Sequence, residues 1–248
     1  FTCQIGSGAV ISAITGIVTI SDFRTLDVAL GGQGAPLVPI GDEMLFSDYD
    51  YCLNLGGFAN VSYEKSYSRI AFDICPVNIF INYMMQKNGK EYDMDGETAR
   101  SGKIIPLFLD ELNKLDFYRQ PAPKSLGREW VEKKIYPLIE NSVLSVEDIL
   151  RTYYEHISFQ ISRIIGEKAS ADILVTGGGA HNTYLLELIQ KKISGKITIP
   201  DDKIIDYKEA LIFGFLGVLK HRNEVNCLSS VTGARSDSSG GIIYNYHI

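Results

Sequence analysis

Residues 51–74 read YCLNLGGFANVSYEKSYSRIAFDI. Three runs rich in apolar, β-branched and aromatic residues, 51–55, 59–63 and 69–74, are separated only by Gly56-Gly57 and by Glu64-Lys65-Ser66. Connections this short suit hairpins and cannot hold a crossover, so three antiparallel strands are predicted. After Pro76 the apolar spacing changes to that of helices. One is expected over 78–86, a long stretch over 98–115 with an interruption at Pro106, and the longest over 145–165. There, Ser145 and Asp148 stand three apart, as in a helix cap. Gln120-Pro121-Ala122-Pro123 reads as a loop, since proline restricts both itself and its predecessor. Beyond it come a strand at 172–176, a helix at 182–192, a strand at 196–199 and a helix at 206–219.

Hairpin-linked strands followed by helices alternating with strands define an α/β protein. The same order builds one lobe of the ribonuclease H-like fold that actin, hexokinase and heat-shock ATPases use twice. Upstream, 16–20 reads as a buried β-branched strand, and Gly31-Gly32-Gln33-Gly34-Ala35-Pro36 forces a loop. The expected division is 1–48 as the remainder of an N-terminal lobe and 49–248 as the C-terminal lobe.

Composition narrows the function classes. The 248 residues are 45% hydrophobic and 22% charged, an ordinary globular balance. The formal net charge is -6, the sequence pI is about 5.3, and the basic residues are scattered, which argues against a nucleic-acid footprint. Cys3, Cys52, Cys75 and Cys227 lie far apart with no CxxC pair, so reduced, buried thiols are expected instead of a zinc site or disulfide framework. No apolar run approaches the length of a membrane span. The chain opens at Phe1 directly in patterned sequence, which reads as a cut from something longer.

Four constellations carry chemistry. In the first, Gly56-Gly57 lets backbone amides and a phosphate approach one another, with Asn60 just beyond; a plain hairpin turn has the same residues. In the second, Asp73 stands near a strand end, before Pro76 and Asn78. It is placed either as a general base or as a helix cap. The third is Thr176-Gly177-Gly178-Gly179-Ala180-His181-Asn182, strand to triple glycine to helix, where a nucleotide can lie against backbone near a helix N-terminus. It matches neither GxxxxGK[ST] nor GxGxxG. The fourth is Arg24 and Asp27 ahead of the glycine loop with Gln33, groups suited to a polyol or, through Arg24, a carboxylate; a surface ion pair is the plainer reading.

These blocks, in this order, resemble the anhydro-N-acetylmuramic acid kinases. The resemblance runs through SDFRTLDVALGGQGAPLVP (21–39), LNLGGFANVSY (53–63), FDICPVN (72–78), PKSLGRE (123–129), VTGGGAHN (175–182), DYKEALIFGFL (206–216) and SVTGA (230–234). It implies a two-lobed cytoplasmic enzyme, able to pair as a homodimer, that opens the 1,6-anhydro ring of its amino sugar with water and transfers the ATP γ-phosphate to O6. By the same resemblance Asp73 activates the water. Gly56, Gly57 and Asn60 approach the phosphates, Gly177, Gly178, Gly179 and Asn182 hold the nucleotide, and Arg24, Asp27, Gln33, Asn78 and Glu209 face the sugar, with Mg²⁺ on the phosphates. Substrate and nucleotide are expected to meet between the lobes. Family members open with a serine- and glycine-rich loop that grips the phosphates and has no counterpart after Phe1, so the N-terminal lobe is expected to be incomplete and these 248 residues alone to be inactive. Cys75-Pro76-Val77-Asn78 stands where the family has GPGN. The rival expectations are a non-catalytic sensor of muropeptide sugars on the same fold, and a related kinase with another substrate.

Overall fold

The computed structural model describes residues 6–140, 142–166 and 168–245. In chain order these form α1 (Gly8–Thr15), β1 (Thr19–Ser21), α2 (Thr25–Ala29), α3 (Pro39–Leu45), β2 (Tyr51–Leu55), β3 (Phe58–Lys65), β4 (Ser68–Pro76), α4 (Asn78–Lys87), α5 (Glu97–Ser101) and α6 (Pro106–Asn113). They continue with α7 (Arg128–Lys134), α8 (Tyr136–Ile139), α9 (Val146–Ile165), β5 (Asp172–Thr176), α10 (Thr183–Gln190), β6 (Lys196–Thr198), α11 (Asp202–His221), α12 (Ser229–Thr232) and β7 (Ile242–Tyr244). Two compact units result. One holds 1–46, 65–70 and 209–248; the other holds 47–64 and 71–208. Residues 209–248, read with the C-terminal lobe from sequence, thus group with the first 46 residues.

The second unit is built on a five-stranded sheet of order β4-β3-β2-β5-β6. β2 pairs antiparallel with β3 (Leu53 opposite Val61) and parallel with β5 (Leu53 opposite Val175), and β5 is parallel to β6. Three consecutive neighbouring strands followed by two parallel ones added on the far side of the first is the ribonuclease H-like order. Central β2 is buried along nearly all of its length, as a strand covered on both faces requires. Leu53 and Leu55 are wholly excluded from solvent, each contributing about 1.5–3 kcal/mol of transfer energy. The β3–β4 turn falls at Ser66-Tyr67, one residue later than the sequence turn signal. Both residues have positive φ (52° and 62°), the geometry whose twist matches a two-residue hairpin.

Helix α9 packs among α4, α5, α6 and α10 and turns an apolar stripe into the core of this unit. Leu150, Tyr153, Ile157 and Ile161, at helical spacing, are fully buried, and Tyr153 donates a hydrogen bond to the Pro76 carbonyl (3.0 Å) at the end of β4. Ser145 caps the helix as expected, its hydroxyl accepting from the Asp148 N–H at 3.1 Å. The expected stretch 98–115 is two helices, α5 and α6. Between them the Lys103 and Ile105 N–H groups are taken by Asp148 Oδ1 and Thr152 Oγ1 of α9.

One buried polar cluster in this unit is expected to make stability depend on pH. His156 has no exposure; Nδ1 lies 2.7 Å from Asn113 Oδ1 and Nε2 2.9 Å from the Tyr118 hydroxyl. Burial disfavours the imidazolium and lowers its pKa from 6.5 to about 3. Between these values the unfolded chain binds a proton that the folded chain refuses. Stability is therefore expected to be complete above pH 6.5 and to fall as pH drops towards 3, by up to about 1.4 kcal/mol per pH unit from this group. Chemical denaturation across that range checks it. His156→Gln should flatten the slope, and an unchanged slope in that variant would assign the acid sensitivity to other groups.

The first unit pairs β1 with β7 antiparallel and packs Leu37, Ile40, Ile212, Leu216, Leu219 and Cys227 into one apolar cluster. The buried strand expected at 16–20 is corrected here: only Thr19–Ser21 is extended, and Ile17 (65%) and Val18 (50%) are exposed. The segment before it is helical because its ends are capped. Ser7 accepts from the Val10 N–H, and Gly16 closes α1 in the left-handed conformation (φ 69°) with its N–H on the Ser12 carbonyl. Cys52, Cys75 and Cys227 are buried, as expected, and form no disulfide among the described residues, while Cys3 lies outside them.

Candidate functional site

In the second unit the strands β2 and β5 run parallel and end side by side at Leu55 and Thr176, the carboxyl edge at which open α/β sheets bind ligands. The triple glycine follows immediately, and its three positions differ. Gly177 has φ 80°, and a Cβ there would meet Leu55 backbone carbon at 2.9 Å. A Cβ on Gly179 would meet the Leu55 Cβ at 2.7 Å and its carbonyl oxygen at 2.9 Å. Both glycines are required by close approach to β2. Gly178 is exposed, and a Cβ there would meet only Asn78 Nδ2, at 3.8 Å. Its backbone is therefore the part of the turn open to a ligand.

Asn182 ends the turn and starts α10. Its Oδ1 caps the helix by accepting from the Leu185 N–H (3.0 Å), and its Nδ2 donates to the Tyr154 hydroxyl (2.7 Å). Both ends of the amide are engaged inside the fold. Gly56 and Gly57 form the opposite wall of the same edge. The Gly57 carbonyl accepts from Val77 (2.8 Å) and Ile79 (3.2 Å), and the Gly56 carbonyl from Asn78 (3.3 Å). The start of α4 is thus docked on the glycine turn, which occupies amides that a helix N-terminus otherwise leaves free. Asn78 Nδ2 donates to the Leu55 carbonyl at 3.2 Å. Asn60 lies opposite Asn54 in the β2–β3 pair, half-buried.

Asp73 stands on β4. Its N–H donates to the Lys124 carbonyl (3.0 Å) and its Oδ2 accepts from the Leu126 N–H (2.7 Å). The segment PKSLGRE therefore wraps the acid, leaving Oδ1 without a hydrogen bond among the described residues. Burial raises the carboxyl pKa, and the Leu126 N–H partly offsets this. The helix-cap reading is excluded: α4 is capped by Val77 with no side-chain bond, and Asp73 is committed to the 124–126 loop instead. Lys124 holds that loop, its Nζ on the Phe117 carbonyl (3.1 Å) and 4.6 Å from the Phe117 ring centroid. Cys75 and Val77, the bulky residues of the CPVN turn, have no exposure. Their side chains fill the core and add nothing to the outer face of the turn.

In the first unit the carboxylate of Asp27 organises the glycine loop. It is 1% exposed; Oδ2 accepts from the Gly34 N–H (2.8 Å), and Oδ1 from the Thr232 hydroxyl (2.7 Å) and the Cys227 thiol (3.2 Å). A Cβ on Gly32 would collide with that carboxylate. Burial and the hydrogen bond to Asp27 push the Cys227 thiol up to about 12. Arg24 donates to the Gly34 carbonyl and lies 5.8 Å from the Phe213 ring centroid, half-buried. The side chain of Gln33 is exposed while its N–H is held by the Thr232 carbonyl (3.0 Å). Glu209 is exposed on α11. The described residues contain no cluster of three or more His, Cys, Asp or Glu side chains arranged to hold a metal. None of their helices is long and apolar enough to cross a membrane.

The family model for anhydro-N-acetylmuramic acid kinase matches residues 1–246. The chain belongs to the anhydro-N-acetylmuramic acid kinase family. The family enzyme of Actinobacillus pleuropneumoniae serotype 7 is 36% identical over 263 residues, an alignment covering 98% of this chain and 70% of that protein. That of Saccharophagus degradans is 37% identical over 260 residues, with 98% and 69% covered. Among solved structures, the activator of 2-hydroxyisocaproyl-CoA dehydratase from Clostridium difficile aligns with a TM-score of 0.43 at 17% identity, covering 71% of this chain and 61% of that one. The fold assignment stands on strand order and family membership, without that likeness.

Within this family member the structure brings together Gly56, Gly57, Asn78, Gly177, Gly178 and Gly179 at one sheet edge. It separates their roles in a way the sequence does not show. Asn54 is a participant that the sequence reading missed: its amide lies where a Cβ on Gly56 (3.2 Å) or on Gly177 (2.5 Å) would come, between the two glycine turns. A polar residue inside an otherwise apolar strand was the available signal.

Asp27→Asn tests the loop assignment. One carboxylate oxygen would become an amide facing N–H, O–H and S–H donors. A loss of about 1–3 kcal/mol in denaturant-measured stability is expected. A loss under about 0.5 kcal/mol, the range of ordinary surface changes, would mean that the carboxylate does not hold the loop.

Proposed function

We propose that this protein phosphorylates anhydro-N-acetylmuramic acid at O6 while water opens the 1,6-anhydro ring, giving N-acetylmuramic acid 6-phosphate for cell-wall recycling. The observation that carries the reading is Asp73, a partly buried carboxylate with one oxygen fixed by the Leu126 N–H and the other unbonded among the described residues. In the reaction the water oxygen bonds to C1, the C1–O6 bond breaks, O6 bonds to the γ-phosphorus, and ADP leaves. Asp73 Oδ1 takes the proton of the attacking water, and its raised pKa suits a base that must accept one. Oδ2, held by the Leu126 N–H, fixes the orientation of the carboxylate.

For the nucleotide, exposed Gly178 presents backbone, with Gly177 and Gly179 fixing the turn against β2. The positive end of α10 lies just beyond it. Gly56, Gly57 and Asn60 border the phosphates, and Asn78, expected from the resemblance to face the sugar, is reassigned beside them because its amide is held at the Leu55 carbonyl on the same sheet edge. For the sugar, Arg24, Gln33 and Glu209 present side chains, and Asp27 acts by holding the glycine loop. Magnesium would be held chiefly by the substrate phosphates and water, with one or two carboxylates at most. When bound it neutralises phosphate charge. We assign the activity to the cytoplasm, where ATP is available.

The test is ADP release by the full-length gene product, with Mg²⁺-ATP, as a function of added anhydro-N-acetylmuramic acid. Sugar-dependent release with one sugar phosphate formed per ADP is expected. Sugar binding without turnover would instead support a sensor. Turnover confined to another sugar would support a kinase of different specificity.

A further inference from the structure

Three segments that are distant in sequence meet at one hydroxyl. Tyr154, fully buried on α9, donates to Asp93 Oδ2 (3.0 Å) and accepts from Asn182 Nδ2 (2.7 Å). Asp93 is buried and gathers the start of α5 through the Thr98 (2.8 Å) and Ala99 (3.2 Å) N–H groups. Asn182 is the residue through which the triple-glycine turn passes into α10. Its N–H is bonded to the Gly179 carbonyl (3.1 Å) and its Oδ1 caps the helix. Gly96, with φ 70°, lets the backbone before α5 sit against this point, where a Cβ would meet the Tyr184 Cβ at 2.7 Å and Asn182 Oδ1 at 2.8 Å. Outside the cluster, Arg100 of α5 pairs with Glu187 of α10 (2.8 Å) and lies 4.2 Å from the Tyr184 ring centroid.

We infer that Tyr154 is a positioning residue for nucleotide binding: its hydroxyl, bridging Asp93 and Asn182, sets the place of the Gly177–Gly179 turn on which the nucleotide rests. This deepens the proposed function and rests on its assignment of the nucleotide to Gly178. The physical case is one of leverage. Gly177 and Gly179 abut the end of β2, which fixes the turn on one side. On the other side its attachment is Asn182. Without the Tyr154 oxygen, the Asn182 amide keeps its cap but has an unpaired buried N–H, whose satisfaction requires the amide and the turn behind it to move. Tyr154 touches neither nucleotide nor sugar in this account.

The experiment measures ADP affinity by calorimetry, and kcat with KM for ATP and for sugar, in the full-length Tyr154→Phe and Asn182→Ser variants and in the double variant. Serine at 182 retains the ability to cap α10, so the two single variants break the same bond from opposite ends. Each is expected to weaken ADP binding and raise the ATP KM by about tenfold, the scale of one hydrogen bond, while kcat and the sugar KM stay within about twofold. Tyr154→Phe also removes the bond to Asp93, so the double variant should be no worse than Tyr154→Phe alone, in which the bond to Asn182 is already lost. A lowered melting temperature with unchanged ADP affinity, or additive losses in the double variant, would overturn the inference. If Tyr154→Phe does not fold, the Asn182→Ser split between ATP KM and kcat decides alone. Normal ADP binding by Gly178→Val would remove the underlying nucleotide assignment. Impaired binding by Gly178→Val beside normal binding by Tyr154→Phe would remove the inference only.

Discussion

Asp73→Asn in the full-length protein is expected to lower kcat by roughly 10²–10⁴-fold, the usual contribution of a general base, with little change in sugar or nucleotide affinity. Asparagine preserves the size of the side chain and can keep an oxygen on the Leu126 N–H at the place of Oδ2. What it loses is the proton acceptor. Since α4 draws no cap from Asp73, a helix-capping explanation for lost activity is not available. The variant should melt close to wild type, which separates this outcome from general damage. The wild-type rate should fall as pH drops through the carboxyl pKa. Because burial raises that pKa, the acid limb should lie above the ordinary value of 3.8. Near-normal kcat in Asp73→Asn would remove it from the mechanism.

Gly178→Val should weaken ADP binding by at least about tenfold while changing stability by less than about 0.5 kcal/mol, the scale of a surface substitution away from core features. The asymmetry comes from the local geometry. A Cβ at 178 meets one side-chain atom at ordinary contact distance, so the fold accepts it, but the added methyls project where a ligand must approach backbone. Gly179→Ala is the opposite control: its Cβ would lie 2.9 Å from a backbone oxygen of the central strand, so stability should fall. Equal losses of stability and affinity in Gly178→Val would assign the turn a structural role only.

The fold was legible in the sequence where one signal dominated. Short connections between apolar runs could only be hairpins, and the later alternation of strand and helix corresponds to β5, added in parallel to β2, and β6, added in parallel to β5. Residues 16–20 misled because Ile, Val and Thr suggest a strand wherever they cluster. The capping pair Ser7 and Gly16, which decides for helix, is a weaker signal than the composition it overrides. The grouping of 209–248 with the first 46 residues depends on long-range packing of Ile212 and Leu216 against Leu37 and Ile40, to which no local pattern refers.

At the candidate site the motifs mark the segments that the structure gathers at the sheet edge and the glycine loop, but not the division of labour within them. Asp27 and Asn182 read as ligand contacts because buried and exposed polar residues look alike in sequence. In the structure both are enclosed, one holding the glycine loop and one holding the start of α10. The link from PKSLGRE to Asp73 spans 53 positions and runs through backbone groups, which carry no residue identity at all.

The reaction assignment is tested most directly by turning over anhydro-N-acetylmuramic acid with Mg²⁺-ATP and the full-length protein in ¹⁸O-labelled water. Mass spectrometry of the product and its fragments then locates the label. The account requires one ¹⁸O in the hydroxyl at C1 of N-acetylmuramic acid 6-phosphate and none in the phosphate ester, because water attacks the sugar and O6 attacks phosphorus. Label in the phosphate, or a phosphorylated sugar that retains its anhydro ring, would contradict it.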